Sequence, residues 1–427
     1  MSSKTLKLFS NYYRRDLKQF VEFNLNGSEN VIEIGDEPVF PEKQYFRLKE
    51  NDRFSVKKAP DCIVMSDYLS RVTDIQHLFA DARKISSENT RLIMTYQNFF
   101  WLPILSLAEF LRVKRKQKRT NWLNQDDIIN LLELENFEVV KSGKRFLFPM
   151  NIPVLSWLLN KYIAALPFFN SLCLTNYIIA RPIGFKRIEK SVSVVVPSRN
   201  EAENIENAIK RIPELGTHTE IIFVEGNSTD NTLDTILEMQ KKYSKKDIKV
   251  MKQEGKGKGD AVRKGFAAAK GDILMILDTD LTVQPEELPK FYEAIASGKG
   301  EYINGCRLVY PMEDEAMRTL NILGNKFFSI AFSWLLNQRI KDTLCGTKVL
   351  TRENYNKLAK NRSYFGDFDP FGDFDLIFGI SKLNLKMVEI PIRYKARVYG
   401  DTNISRFKHG LLLLRMVFFA LGKIKFV

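Results

Sequence analysis

Apolar residues in this chain gather in short runs that stop abruptly at glycine, proline or acid, and between the runs they recur at helical spacing. Val31 to Gly35, Asp61 to Ser66 and Arg91 to Thr95 have the length and composition of short buried strands. Ile75, Leu78 and Phe79, between the second and third runs, mark one face of a helix. The same alternation resumes further on. Ser191 to Val196, Glu220 to Glu225, Ile248 to Met251 and Ile273 to Leu277 read as strands. A helix carrying Ile205, Ala208, Ile209 and Ile212 follows the first of these, and another opens at Gly255–Asp260 and runs through Ala267. The pattern predicts an α/β chain of two domains, residues 1–185 and 190–427.

Other segments break the alternation. Arg112 to Arg119 is a basic helix, read as a solvated face, an anionic-lipid contact or, last, a nucleic-acid contact. Asn124 to Asp127 start a helix over Ile128 to Leu134. Ile152 to Ala180 is the most apolar stretch, but Asn160, Lys161, Pro167, Asn170 and Asn176 interrupt it. It predicts a buried helix pair or a segment on a bilayer surface, not a membrane span of about 20 residues. Leu320 to Leu336 is an apolar helix, and His409 to Val427 an amphipathic one. The first residues, Met-Ser-Ser-Lys-Thr, start no apolar leader, which predicts a protein that is not exported.

Composition narrows the chemistry. A net charge of +14 points to an anionic partner. Cys62, Cys173, Cys306 and Cys345 are dispersed without metal-ligand spacing and read as reduced core thiols, as in a cytoplasmic protein. With three histidines in 427 residues, zinc–histidine sites and Ser-His-Asp machinery are poorly supplied, so the search moves to carboxylates, Lys and Arg.

The strongest chemical feature is Asp278-Thr-Asp280 at the end of the run from Ile273. Alternation along an extended chain points both acids the same way, at the strand end where open α/β sheets bind ligands. Two hard oxygen donors beside a pyrophosphate suit Mg²⁺ or Mn²⁺; the plain alternative is an Asp-rich turn. Lys256 and Lys258, in Gly-Lys-Gly-Lys-Gly259, are either solvated or placed to neutralise phosphate, and the spacing is not that of a P-loop.

From Ser191 to Phe426 the motifs resemble family-2 glycosyltransferases of the dolichol-phosphate and polyprenyl-phosphate sugar-transferase branch. Pro197-Ser-Arg-Asn-Glu201 is similar to the family's opening nucleotide motif. Val224-Glu-Gly-Asn-Ser-Thr-Asp230 is similar to its second, with Glu225 and Gly226 replacing aspartates. Gly257-Lys-Gly-Asp-Ala261 is similar to the turn beside the donor, and Asp278-Thr-Asp280 to the metal motif, with Thr282 as a further polar position. The resemblance implies a GT-A fold with the donor on Pro197, Arg199, Glu201, Glu225, Lys258, Asp278 and Asp280. Arg307, Arg318, Thr402 and Asn403 would serve the acceptor, with Asn304, Asn325 and the turn Lys341–Lys348 nearby. Arg397 would close over the pyrophosphate, with Asn403 where relatives place Lys. Asp373 and Asp375 would act as base toward a hydroxyl acceptor, or only position groups if the acceptor is an ionised phosphate; a capped aromatic turn is the other reading of that cluster.

The first domain resembles class I S-adenosylmethionine methyltransferases. Val31 to Gly35 would be the first strand, and Phe99 to Pro103, Asn121 to Asn124 and Leu174 to Arg181 are similar to one branch. The glycine-rich loop is missing. Gly35 is followed by Asp-Glu-Pro-Val-Phe-Pro-Glu-Lys, and the span to Asp61 leaves no room for the usual second strand. The resemblance therefore implies a degenerate, Rossmann-like domain that binds no S-adenosylmethionine and keeps a scaffolding, membrane or partner role.

Together these readings predict a metal-dependent inverting transferase, peripheral on the cytoplasmic face of a membrane. It would move sugar from a nucleotide-sugar to a polyprenyl phosphate. The rivals are a transferase acting on a saccharide or lipid hydroxyl and, behind it, an active methyltransferase; nucleic acid is not an expected partner.

Overall fold

A computed structural model of the chain describes residues 3–35, 39–40, 43–46, 56–111, 121, 123–310, 319–365, 374–395 and 406–426. The chain divides into two compact units, Met1–Phe185 with Lys425–Val427, and Lys186–Ile424. Both are mixed α/β, each built on one sheet.

The first unit holds strands β1 (Val31–Ile34), β2 (Gln44–Phe46), β3 (Cys62–Ser66), β4 (Arg91–Gln97), β5 (Phe137–Arg145) and β6 (Thr175–Pro182), in the order β2-β1-β3-β4-β6-β5. β1 to β4 are parallel, and β6 runs antiparallel to both its neighbours. The apolar runs become strands because β1, β3 and β4 lie between covered faces. One such cover is the helix Ile75–Ile85, capped by Asp74, whose carboxylate accepts from the His77 N–H; it buries Ile75, Leu78 and Phe79. A full capping box between Asn124 and Asp127 starts the helix Gln125–Leu134.

Two expectations change here. A short second strand does exist: β2 pairs parallel with β1 within the span thought too short for it. At three residues it is below the length at which a pattern shows. The segment from Ile152 to Ala180 is not a buried helix pair. It forms the short helices Leu155–Lys161 and Pro167–Ser171, largely exposed, and its end, from Thr175, enters β6. The basic run Arg112–Arg119 lies outside the described residues.

The second unit holds β7 (Val192–Ser198), β8 (Thr219–Glu225), β9 (Asp247–Lys252), β10 (Ile273–Ile276), β11 (Tyr302–Cys306), β12 (Lys348–Thr351) and β13 (Met387–Pro391), in the order β13-β11-β12-β10-β7-β8-β9. β7 to β10 are parallel, so their carboxyl ends share one edge. β12 runs antiparallel between β10 and β11 and brings its amino end, Lys348, to that same edge. The helix Lys258–Ala268 packs closely on the sheet. A Cβ on its Gly265 would stand 2.4 Å from a Val195 methyl, so only glycine allows this approach. That packing sets Lys258 at the edge where the strands end. All four cysteines are buried, unpaired thiols. Among the described residues, no helix is long and apolar enough to cross a membrane.

Candidate active site

The site begins where β10 stops. Thr279 is buried, its hydroxyl donating to the Pro197 carbonyl (2.8 Å) and lying 2.7 Å from Ser198 Oγ. Asp278 and Asp280 flank it and are half-exposed; they lie in the turn beyond β10, where the Leu281 N–H donates to the Asp278 carbonyl (3.2 Å), and not in the extended strand. Asp280 Oδ1 accepts from the backbone N–H (3.1 Å) and hydroxyl (2.8 Å) of Thr282. Thr282 is itself buried. This further polar position of the motif thus orients Asp280 through a local turn.

Asp278 faces cations. Lys258 Nζ lies 2.6 Å from its Oδ1, at the first residue of a helix whose dipole is positive there. Burial opposes ionisation of Asp278. Lys258 first, then Lys348 and Arg307, outweigh it and hold the carboxyl below the usual carboxylate range. Gly257, at φ +84°, gives the chain the left-handed turn into this helix.

The backbone of Gly346 closes the other side. A Cβ there would lie 1.8 Å from Asp278 Oδ2 and 2.6 Å from Lys258 Nζ. Gly346→Ala is therefore expected to displace the ion pair and weaken nucleotide binding at least about tenfold, as a site displaced by about 1 Å loses function while the fold survives. Calorimetric titration with nucleoside diphosphates reads this; unchanged affinity would show that the pair is not part of the binding surface.

Of the residues expected at the donor, Pro197 is half-buried and Arg199 exposed at the end of β7. Glu201 and Glu225 are buried. Glu201 accepts from Asn204 Nδ2 (2.7 Å), and Glu225 Oε1 accepts the Ser228 N–H (2.5 Å), so each ties its own loop as well as lying at the edge. Gly226 fits between Arg199 and Gln253, both 3.2 Å from where its Cβ would be.

Arg307, expected at the acceptor, turns inward. Its Nε and Nη2 donate to the two carboxylate oxygens of Asp342 at 2.7 Å each, and its backbone N–H donates to the same group. Asp342 is 1% exposed. Burial works against both charges, yet each partner's field overrides it: Asp342 is held below, and Arg307 above, its ordinary range. Glu389 completes the knot by accepting from the backbone N–H groups of Lys341 and Asp342; burial, and then the neighbouring Asp342 charge, raise its carboxyl. Lys348, fully buried and donating to the Cys345 carbonyl, is a cation that sequence reasoning did not single out. Nothing in its local pattern, the first residue of a short apolar strand, marks it.

Asp375 sits in the first turn of the helix Phe374–Lys382, 2.8 Å from Arg362 Nε and 3.7 Å from Arg263 Nη1. Arg263 belongs to the helix that Lys258 begins. The carboxylate is thus engaged as an anchor between helices. Asp373, Arg318, Arg397, Thr402 and Asn403 lie outside the described residues.

The two acids beside a lysine at a helix start are an arrangement for binding an anion together with a cation. Among the described residues, no three His, Cys, Asp or Glu side chains cluster as a metal cage. Two carboxylates alone suit an ion whose remaining ligands are phosphate oxygens and water.

Residues 193–362 match the family described as Glycosyl transferase family 2. That match lies wholly within the second unit. A dolichol-phosphate mannosyltransferase from Pyrococcus furiosus is 40% identical over 225 residues, covering 50% of this chain and 59% of that protein. An undecaprenyl-phosphate 4-deoxy-4-formamido-L-arabinose transferase from Pectobacterium carotovorum is 35% identical over 113 residues, 26% of this chain and 35% of that protein. The chain thus spans less than two thirds of either relative. Among solved structures, glucosyl-3-phosphoglycerate synthase from Mycobacterium tuberculosis, with Mn²⁺, UDP-glucose and glycerol 3-phosphate, aligns at a TM-score of 0.41. It is 20% identical, over 55% of this chain and 80% of that one.

Proposed function

We propose that the C-terminal unit is an inverting sugar transferase of GT-A type, taking a nucleotide-sugar and glycosylating a polyprenyl phosphate. The observation that carries this is the pair Asp278 and Asp280, presented outward at the strand edge by the buried Thr279, with Lys258 against Asp278. The relatives named for dolichol phosphate and undecaprenyl phosphate support the acceptor class.

In this reading Asp278 and Asp280 hold Mg²⁺ or Mn²⁺, which when bound neutralises charge developing on the departing diphosphate. Lys258 adds a second positive charge from the helix start. Arg199 lies exposed beside the opening nucleotide motif, where a donor would bind. A phosphate oxygen of the acceptor attacks the anomeric carbon as the bond to the nucleoside diphosphate breaks. That oxygen is already ionised near neutral pH, so no strong base is needed, which agrees with Asp375 being an ion-pair partner. The buried Arg307, fixed by Asp342, adds a further positive field at Asp278. The experiment is transfer from radiolabelled nucleotide-sugars to undecaprenyl phosphate, with metal and with chelator. Transfer that needs the ion is expected; transfer undiminished by chelator would remove the metal from the reading, and none with any donor would overturn it.

For the first unit we propose a Rossmann-like sheet descended from a methyltransferase that no longer holds S-adenosylmethionine. The reversed β6 between β4 and the parallel-running β5 supports the ancestry. Glu33, at the expected cofactor strand, instead accepts the backbone N–H groups of Val39 and Phe40, and Phe40 is buried against the sheet. Calorimetric binding of S-adenosylmethionine would refute the loss.

A further inference from the structure

The first unit carries an apolar surface that its own core does not use. In the helix Leu102–Phe110, Leu102 and Leu105 face the core and are buried. The opposite stripe is apolar too: Phe100, Ile104, Leu107 and Leu111 recur at helical spacing, and all are exposed. A surface helix of a soluble domain keeps that outer stripe polar. A second exposed apolar segment adjoins the first. Trp101 Nε1 donates to the Leu172 carbonyl (2.7 Å), and Asn98 Nδ2 donates to those of Ser171 and Cys173, tying the helix start to the end of Pro167–Ser171. On that side Phe168 is 73% exposed, as Phe110 is 83% exposed on the other. Val154 and Trp157, just before that segment in the chain, are also exposed.

Among the described residues, the charged groups beside this face are Lys161, Lys144 and Glu109. Between Met150 and Cys173 the only charged residue is Lys161, whose ammonium lies 6.0 Å from the centre of the Trp157 ring. Lys144 Nζ stands 3.4 Å from the Ser171 carbonyl. Glu109 is the only acid in Leu102–Phe110, and the chain after Leu111 continues into six cations and no acid in Arg112–Arg119. Exposed aromatic and aliphatic side chains rimmed by cations match the boundary of an anionic bilayer, where rings sit at headgroup depth and Lys or Arg meets lipid phosphate.

We infer that the first unit docks on anionic lipid bilayers by this face, inserting Phe100, Leu107, Phe110, Trp157 and Phe168 into the interface. The inference stands independently of sugar transfer. It assigns the unit a membrane-anchoring role in place of methyl transfer.

The test uses the full chain and co-sedimentation with vesicles of phosphatidylcholine alone or mixed with phosphatidylglycerol. Binding to the anionic vesicles is expected to exceed that to neutral ones at least about tenfold, and Phe100→Ser/Leu107→Ser/Phe110→Ser to lower it by a similar factor. The three side chains are exposed, so folding should survive, which circular dichroism checks. Brominated lipid should quench tryptophan fluorescence, and Trp157→Phe should remove much of that quenching. Asp278→Asn should bind vesicles normally, and the triple variant should still glycosylate a detergent-dispersed acceptor, so failure of this inference and failure of the transferase reading are distinguishable. Equal vesicle binding by wild type and triple variant would overturn the inference. So would a wild-type dimer, dissolved by the triple substitution, that ignores lipid, since a second copy would then cover the face.

Discussion

Asp278→Asn is expected to lower kcat/KM for sugar transfer about a thousandfold while leaving the fold intact, since removing a charge that stabilises the transition state costs about 10²–10³ in rate. The substitution keeps the shape of the side chain and removes its charge. Among the described residues its ion pair is with Lys258 (2.6 Å), and both side chains are roughly a third exposed. Pairs of that exposure contribute about 0–1 kcal/mol to stability. Activity and stability should therefore separate. Steady-state kinetics at saturating metal, beside thermal unfolding, reads both. A variant with near wild-type turnover would end the assignment of this acid to the reaction, and one that unfolds would reveal a structural role.

The second large effect concerns stability. Asp342→Ala leaves the Arg307 guanidinium buried without its partner, and breaking such a pair costs about 3–5 kcal/mol. In a unit of this size that lowers Tm by roughly 10 °C. Replacing both, as Arg307→Met/Asp342→Leu, removes both charges and should recover much of the loss. The pH dependence has a definite sign. Asp342 is held below its ordinary range in the folded protein, so its contribution is complete above that range. It is withdrawn as pH falls through the depressed value. Urea unfolding of wild type, single and double variants at neutral and acidic pH measures this. A single variant within about 0.5 kcal/mol of wild type, the scatter of ordinary surface changes, would show that water reaches the pair.

The strands around the site could be read directly from the chain because each is a short apolar run with a sharp end. Ile273 to Leu277, for instance, became β10 at Ile273–Ile276. Asp278 and Asp280 are half-exposed around Thr279 through a turn beyond β10, the plainer reading of that motif, and not through strand alternation. What lay beyond reach was set by pairing between distant residues. Nothing local to Arg307 shows that it will meet Asp342, 35 positions away, instead of a ligand. Lys348 became a buried cation only because β12 is reversed and inserted beside β10. β2 was missed because three residues carry no period. The outer stripe of Leu102–Phe110 was visible as apolar residues, but only packing shows which of them the core leaves uncovered.

The contact between Lys258 and Asp278 has a consequence for the order in which ligands enter. A divalent ion arriving alone must compete with an ammonium for the same carboxylate oxygen. One arriving with a diphosphate brings the ammonium a new counter-charge. On the proposed chemistry, uptake of the two is mutually reinforcing, and by linkage each tightens the other by the same factor. A site wired this way stays electrically satisfied while empty and gathers its ion chiefly when there is an activated sugar to hold.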